Sequence, residues 1–281
     1  MIETKSPLQK VLFREKTYFI KRDDLLDNHF SGNKARKFHY YLNYNFKNIS
    51  KIISHGSSQS NAMYSLSVLA KIKSIEFIYY VDHIALFLKQ NPHGNYKYAL
   101  QNGMKIIEGD LKKIVDEDEL FIPEGGHFKE AEVGIKILAN ELKEFDCDIF
   151  LPSGTGTTAL YLQKHLKNRV FTCACVGDVK YLKKQFLELE SDERLHPNIL
   201  TLDKKYHFGK LYREFFEIWV ELKRETNIEF DFLYDPLGWM NVIKHHNLFN
   251  NDLIYLHQGG IIGNESMSLR YKRKFSENSR K

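Results

Sequence analysis

Asp148-Ile149-Phe150-Leu151-Pro152-Ser153-Gly154-Thr155-Gly156-Thr157-Thr158 is the stretch that decides the fold class. Its apolar start reads as a strand, Gly154 and Gly156 make a turn, and a helix follows at once through Leu160, Leu162 and Leu166. The same alternation spreads in both directions. Residues 51–54 read as a short strand, with Gly56 and two serines leading into a helix spaced through Met63, Leu66, Leu69 and Ala70. Residues 75–81 are almost continuous Ile, Phe, Tyr and Val, which predicts a strand. A helix is predicted over 92–102 with Gly103 as its stop, then short strands at 104–107 and 120–122. The double glycine Gly125-Gly126 is the sharpest break, followed by a helix over 129–144. Beyond the glycine turn come a strand at 170–176, a long helix over 209–224 and a last strand at 253–256. Strands alternating with helices predict an α/β protein with parallel sheets.

Composition narrows the class without deciding the function. The 281 residues are 43% hydrophobic and 27% charged, the profile of a soluble globular protein. Much of the net charge of +5 sits in the stretch 270–281, so the body is near neutral and overall basicity is no argument for nucleic acid. Residues 276–281 read as a frayed, solvated end. The three cysteines, Cys147, Cys173 and Cys175, form no CxxC and match no His spacing, which predicts reduced structural thiols and no metal site. His245-His246 has no partner at ligand spacing either. The start, Met1-Ile2-Glu3-Thr4-Lys5, has no apolar signal core, and no stretch has the length of a membrane span. A cytoplasmic protein is the expectation.

Four features carry chemistry. Ser31-Gly32-Asn33-Lys34-Ala35-Arg36-Lys37 follows the extended stretch Tyr18-Phe19-Ile20-Lys21-Arg22-Asp23 and opens an amphipathic segment. A lysine on the first turn of a helix meets the positive end of the dipole, which lowers the cost of deprotonating it. A neutral amine is what attacks an aldehyde to form a Schiff base. The other reading of Lys34, Arg36 and Lys37 is a solvated basic turn. The turn Ser153, Gly154, Thr155, Gly156, Thr157, Thr158 frees backbone N–H groups for an anion, or is simply a tight turn with capping threonines. It lacks both GxGxxG spacing and a Gly-Lys-Ser/Thr ending, so a small phosphate held without a lysine fits better than a nucleotide. Gln59, Ser60 and Asn61 stand at a helix start where Ser57 or Ser58 serves as the cap, and they exceed what one cap needs. Their surplus polar groups suit a carboxylate and a ring oxygen. The fourth feature is a strand ending in His257-Gln258-Gly259-Gly260, where open α/β sheets bind ligands.

In order from residue 20 to 263, the chain resembles the 1-aminocyclopropane-1-carboxylate deaminase / D-cysteine desulfhydrase family. That family consists of enzymes dependent on pyridoxal 5′-phosphate (PLP) with the tryptophan synthase β-like, type II fold. The resemblance rests on Ile20-Lys21-Arg22-Asp23-Asp24, the Ser31–Lys37 run, Gln59-Ser60-Asn61, Ile122-Pro123-Glu124-Gly125-Gly126, Ser153-Gly154-Thr155-Gly156-Thr157, Tyr234-Asp235-Pro236 and His257-Gln258-Gly259-Gly260. It implies two Rossmann-like αβα domains with the cofactor in the cleft between them. The large domain would combine 1–44 with 129–281, and the small one would span 45–128. Lys34 would carry the cofactor through a Schiff base, and Ser60 would sit beside the reacting carbon or bind the substrate carboxylate. Asn61 would bond the phenolic oxygen, residues 153–158 would hold the phosphate, and Gln258 would meet the ring nitrogen. Gln59, Ser60, Asn61 and Tyr206 would bind the substrate. A neutral partner at Gln258 leaves the ring nitrogen mostly unprotonated, which suits β-elimination better than demanding carbanion chemistry.

The implied reaction turns a small amino acid, D-cysteine foremost, into a 2-oxo acid and ammonia. A homodimer is implied, with neither nucleic acid nor membrane as partner. One departure stands out. After Asp235-Pro236 the family places a tyrosine and, in true deaminases, a glutamate; this chain has Gly238 and Trp239. Cyclopropane ring opening leans on both, so a desulfhydrase-like reaction is favoured, with a PLP carrier lacking turnover as the alternative.

Overall fold

Every residue of 147–153 is buried, which is how a strand covered on both faces reads. The structure, a computed structural model, describes residues 5–27, 29–111, 116–249 and 252–276. From the N-terminus come β1 (Leu8–Phe13), β2 (Lys16–Arg22), α1 (Lys34–Lys37), α2 (His39–Asn43), β3 (Lys51–His55), α3 (Asn61–Lys73) and β4 (Glu76–Val81). Next are α4 (Leu86–Gln90), α5 (Gly94–Gln101), β5 (Lys105–Glu108), β6 (Glu119–Ile122), α6 (Ala131–Leu142), β7 (Cys147–Ser153) and α7 (Thr157–His165). The remainder is β8 (Val170–Ala174), α8 (Val179–Leu189), β9 (Asn198–Ile199), α9 (Arg213–Thr226), α10 (Asp235–Lys244), β10 (Asp252–His257) and α11 (Asn264–Ser276).

These strands form two sheets. One has four strands in the order β5-β4-β3-β6, all parallel. The other has six in the order β1-β2-β10-β7-β8-β9, parallel except for the antiparallel edge pair β1–β2. The last strand, β10, is thus a middle strand. Its side chains alternate between two cores: Ile254 and Leu256 join one, Leu253 and Tyr255 the other. The four-stranded sheet lies within 45–128, but the core does not part at those positions. One cluster runs from Ile52 and Phe77 through Phe38 and Ile135 to Ile149.

The structure departs from the sequence reading, or adds to it, in three places. The 209–224 helix begins at Arg213, because Gly209 takes φ +71° in the preceding loop. The β1–β2 hairpin turns on Arg14 and Glu15, both at positive φ without a glycine to signal it. The C-terminal region is helical to Ser276, so only the last part of the expected frayed end, residues 277–281, lies outside the described residues, as do Met1 to Thr4 of the signal-peptide reading. All three cysteines are buried and free, and no described helix is long and apolar enough to cross a membrane.

Candidate active site

Parallel strands deliver their C-terminal ends to one place, and here five of them do so. The segments after β3, β6, β7, β8 and β10 line a cleft of about 300 Å³ together with α1. Lys34, Gln59, Ser60, Asn61, all of 153–158 and Gln258 border it. Tyr206 does not. It stacks on Phe215 at 4.7 Å and donates to Glu214 (3.2 Å), so its substrate role is corrected: the ring belongs to the packing under α9. Gly238 and Trp239 also miss the cleft. Trp239 is fully buried against Tyr255 (centroids 4.5 Å), and a side chain at 238 would meet the Tyr255 hydroxyl at 2.5 Å.

Lys34 opens α1, but that helix has only four residues, too few for a strong dipole. Burial is the cause instead: it lowers the amine to about 8, against the opposing pull of Asp231. The local geometry depends on Gly32. Its φ is +50°, and a Cβ there would lie 2.0 Å from the Gln258 carbonyl oxygen, so only glycine lets the two backbones touch. Asn33 N–H then donates to that carbonyl at 2.9 Å. Gly32→Ala is expected to destabilise the protein by about 2–3 kcal/mol, from left-handed strain plus overpacking. A denaturant titration with an unchanged midpoint would contradict this.

The anion cradle has a lysine after all. Lys37 Nζ donates to the Gly125 carbonyl (2.9 Å) and reaches Thr155 Oγ1 (3.5 Å), one helical turn from Lys34 on the same face. Among the described residues no carboxylate forms an ion pair with it. Burial, and then Lys34, hold it well below the usual lysine range. Sequence reading expects a small phosphate held without a lysine; the structure brings the Lys37 amine to the edge of the Thr155 turn. Thr155 and Thr157 hydroxyls are 3.1 Å apart, and His127 Nδ1 sits 3.3 Å from Thr157 Oγ1. Gly156, at φ +74°, starts α7 with no side-chain cap, leaving the first N–H groups of that helix to a ligand. An anion here fits the buried ammonium and the uncapped helix end together.

Ser60 is the cap of α3, accepting from Ala62 N (3.2 Å) and Met63 N (3.4 Å), so capping falls on it and not on Ser57 or Ser58. Gln59 borders the cleft, yet its amide is engaged with the His93 carbonyl (3.0 Å) and Tyr96 N–H (3.4 Å). Asn61 Oδ1 accepts from Asn95 Nδ2 (2.8 Å), and Asn95 is fixed by donating also to the Gln59 carbonyl (2.9 Å). A carbonyl only accepts, so Asn61 is left with its Nδ2 donors unclaimed among the described residues. Asn95 is fully buried behind the site. Asn33, Lys37 and Tyr234 stand inside the quoted motifs without a site role assigned to them, Asn95 reads from sequence equally well as part of a polar helix start, and His127 had no sequence signal.

Sequence comparison finds no matching family model and no matching curated protein. Solved structures do match. An ACC deaminase homologue superposes with a TM-score of 0.76 at 21% identity, over 94% of each chain. A threonine deaminase from T.th. gives 0.64 at 13% identity, over 91% of this chain and 92% of that one. This is the tryptophan synthase β-like fold. A hydrogen sulfide-producing enzyme from Fusobacterium nucleatum shares it, with a TM-score of 0.63, 13% identity, and coverage of 92% and 96%. Within this fold the cleft of the present chain lies where its two sheets converge.

The two buried amines give the cofactor-free protein a pH signature. Each binds its proton more weakly folded than unfolded, so the unfolded chain holds more protons above the folded midpoint. For Lys34 the penalty is complete below about 8 and vanishes as pH rises to 10.5; for Lys37 the window opens lower. These two groups therefore make stability rise with pH across that window. Denaturant midpoints of wild type and a Lys34→Met, Lys37→Met double variant check it: the difference between them should shrink as pH rises.

Proposed function

We propose that this protein is a PLP-dependent enzyme that deaminates or β-eliminates a small amino acid to a 2-oxo acid and ammonia, with D-cysteine the first substrate to test. The observation that carries the reading is a pair of buried amines on α1 with different surroundings. Lys34 faces open cleft as a readily deprotonated amine, and Lys37 faces an uncapped helix end that takes an anion. An aldehyde bearing a phosphate satisfies both.

When bound, PLP supplies an electron sink for the pair released at the substrate Cα. The chain supplies the rest. Lys37 and residues 154–158 would hold the phosphate, and the Asn61 Nδ2 donor would be offered to an acceptor on the ring. The Lys34 amine, once free, takes the Cα proton, with the Ser60 hydroxyl beside it. Ser57 and Ser60 at the start of α3 offer donors for the substrate carboxylate. Tyr234 and Phe208, 5.2 Å apart, wall the opposite side and limit the substrate's size.

The test is uptake of PLP followed by borohydride reduction and peptide mapping, then release of ammonia and 2-oxo acid across D- and L-amino acids. A label on Lys34 with turnover supports the reading, whereas a colourless protein without label refutes it. A second reading is a PLP carrier without turnover, favoured because position 238 faces the core and Tyr206 stands outside the cleft lining, so neither brings a hydroxyl to it. Label on Lys34 with silence across the whole panel would select it.

A further inference from the structure

Asn33 sits between Lys34 and Gln258, and its bonds run in one direction only. Gln258 Nε2 donates to the Pro152 carbonyl at 2.6 Å. That oxygen can only accept, so the Gln258 amide cannot turn over without losing the bond. Gln258 Oε1 must then face Asn33, whose Nδ2 donates to it at 2.6 Å. The orientation of Asn33 follows, and its Oδ1 is presented to Lys34 Nζ at 3.1 Å. Asn33 is 6% exposed and tied to Gln258 a second time through its backbone N–H.

We infer that Asn33 is a positioning residue that aims the Lys34 amine, through a one-way amide relay anchored on the Pro152 carbonyl. The inference rests on Lys34 being the reacting amine, but the relay exists in the protein without cofactor and is testable there. Holding Nζ by a single neutral acceptor fixes the stem's direction while adding no charge. A carboxylate in that place would hold the amine protonated and unreactive. The charged groups that face the amine are Asp231, from the loop before α10, and Lys37 on its own helix. Asn33 touches Nζ itself, so its replacement acts on the amine directly. The relay also leaves Gln258 with only a donor hydrogen for the cleft, since its oxygen is committed to Asn33.

The experiment is competitive acetylation of the cofactor-free protein across pH, with peptide mass spectrometry reporting the titration midpoint of Lys34. Asn33→Asp is expected to raise the midpoint by at least about one unit, roughly a tenfold loss of neutral amine below it. Asn33→Ala removes the acceptor and is expected to lower it. Gln258→Met frees the Asn33 amide to rotate and should move the midpoint the same way as Asn33→Ala, by less. Opposite shifts for Asp and Ala support the relay. Shifts in one direction only, or all within about 0.3 unit of wild type in folded variants, overturn it. If the variants do not fold, the wild type answers by itself. With ¹⁵N-labelled asparagine, the Asn33 side-chain amide should titrate with the Lys34 midpoint, and a flat response overturns the relay. PLP uptake is read separately by its visible spectrum. Relay shifts in a protein that takes up no PLP would keep this inference and discard the functional reading.

Discussion

Lys34→Met is expected to abolish turnover, by at least ~10³-fold, while making the cofactor-free protein more stable. The two effects have one cause. The amine is buried, and burial lowers its affinity for a proton, so at neutral pH the folded chain carries a cation in a poorly hydrated place. Methionine keeps the length of the stem and removes the charge. It also relieves Lys37, which Lys34 repels. Denaturant unfolding near neutral pH should show the gain, and the borohydride label should vanish from residue 34. A variant as unstable as wild type would mean that the amine is not strained there. Retained turnover would remove Lys34 from the mechanism. A site that holds such a group trades stability for reactivity.

Arg36→Met is expected to do the reverse and cost at least about 3–5 kcal/mol. Arg36 is 3% exposed and lies at the centre of a buried network. Its Nε and Nη2 grip Asp23 at 2.8 Å each, and Nη1 reaches Glu141 at 2.7 Å. Lys21 holds the other side of Glu141 at 2.5 Å, and the Ser6 hydroxyl donates to Asp23 at 2.6 Å. Burial acts to lower the guanidinium's proton affinity, but Asp23 and Glu141 together outweigh it and raise it. Removing the arginine leaves Asp23 fully buried and Glu141 nearly so, with one lysine between them. The network joins α1 to β2 and α6, so the same change also loosens the helix that carries Lys34. A shift of the unfolding midpoint worth less than about 1 kcal/mol would show that the carboxylates find other partners or take up protons at little cost.

What the sequence disclosed is what a short stretch can encode. Strand, glycine turn and helix at 147–165 are contiguous, so β7, its turn and α7 were readable from spacing alone. Lys34, Ser60 and Asn61 were legible because motif and element start coincide. The misses depend on distant chain. The Asn33–Gln258 bond joins residues 225 apart, and nothing near either announces it. Lys37 became part of the cradle only because Gly125 and Thr155 come to it. Gly238 and Trp239 stand where the family has its tyrosine and glutamate, but on α10 both face the core, where Tyr255 packs on them. Tyr206 stands in a loop, and loops vary most between related chains, so its position was the hardest to read. The β1–β2 hairpin escaped because Arg14 and Glu15 adopt a turn that other sequences mark with glycine or asparagine.

The placement of β10 between β2 and β7 has a consequence for how the protein comes into being. Made from the N-terminus, the chain exposes two unfinished sheet edges until residues 252–257 leave the ribosome, and such edges invite wrong pairing. The clamp on Lys34 arrives with that same strand, because Gln258 follows it directly. An incomplete chain therefore has a lysine but no reactive pocket. Completion of β10 is a precondition for the cleft around Lys34, and the slow, long-range closure of the sheet is the step on which the site's existence waits.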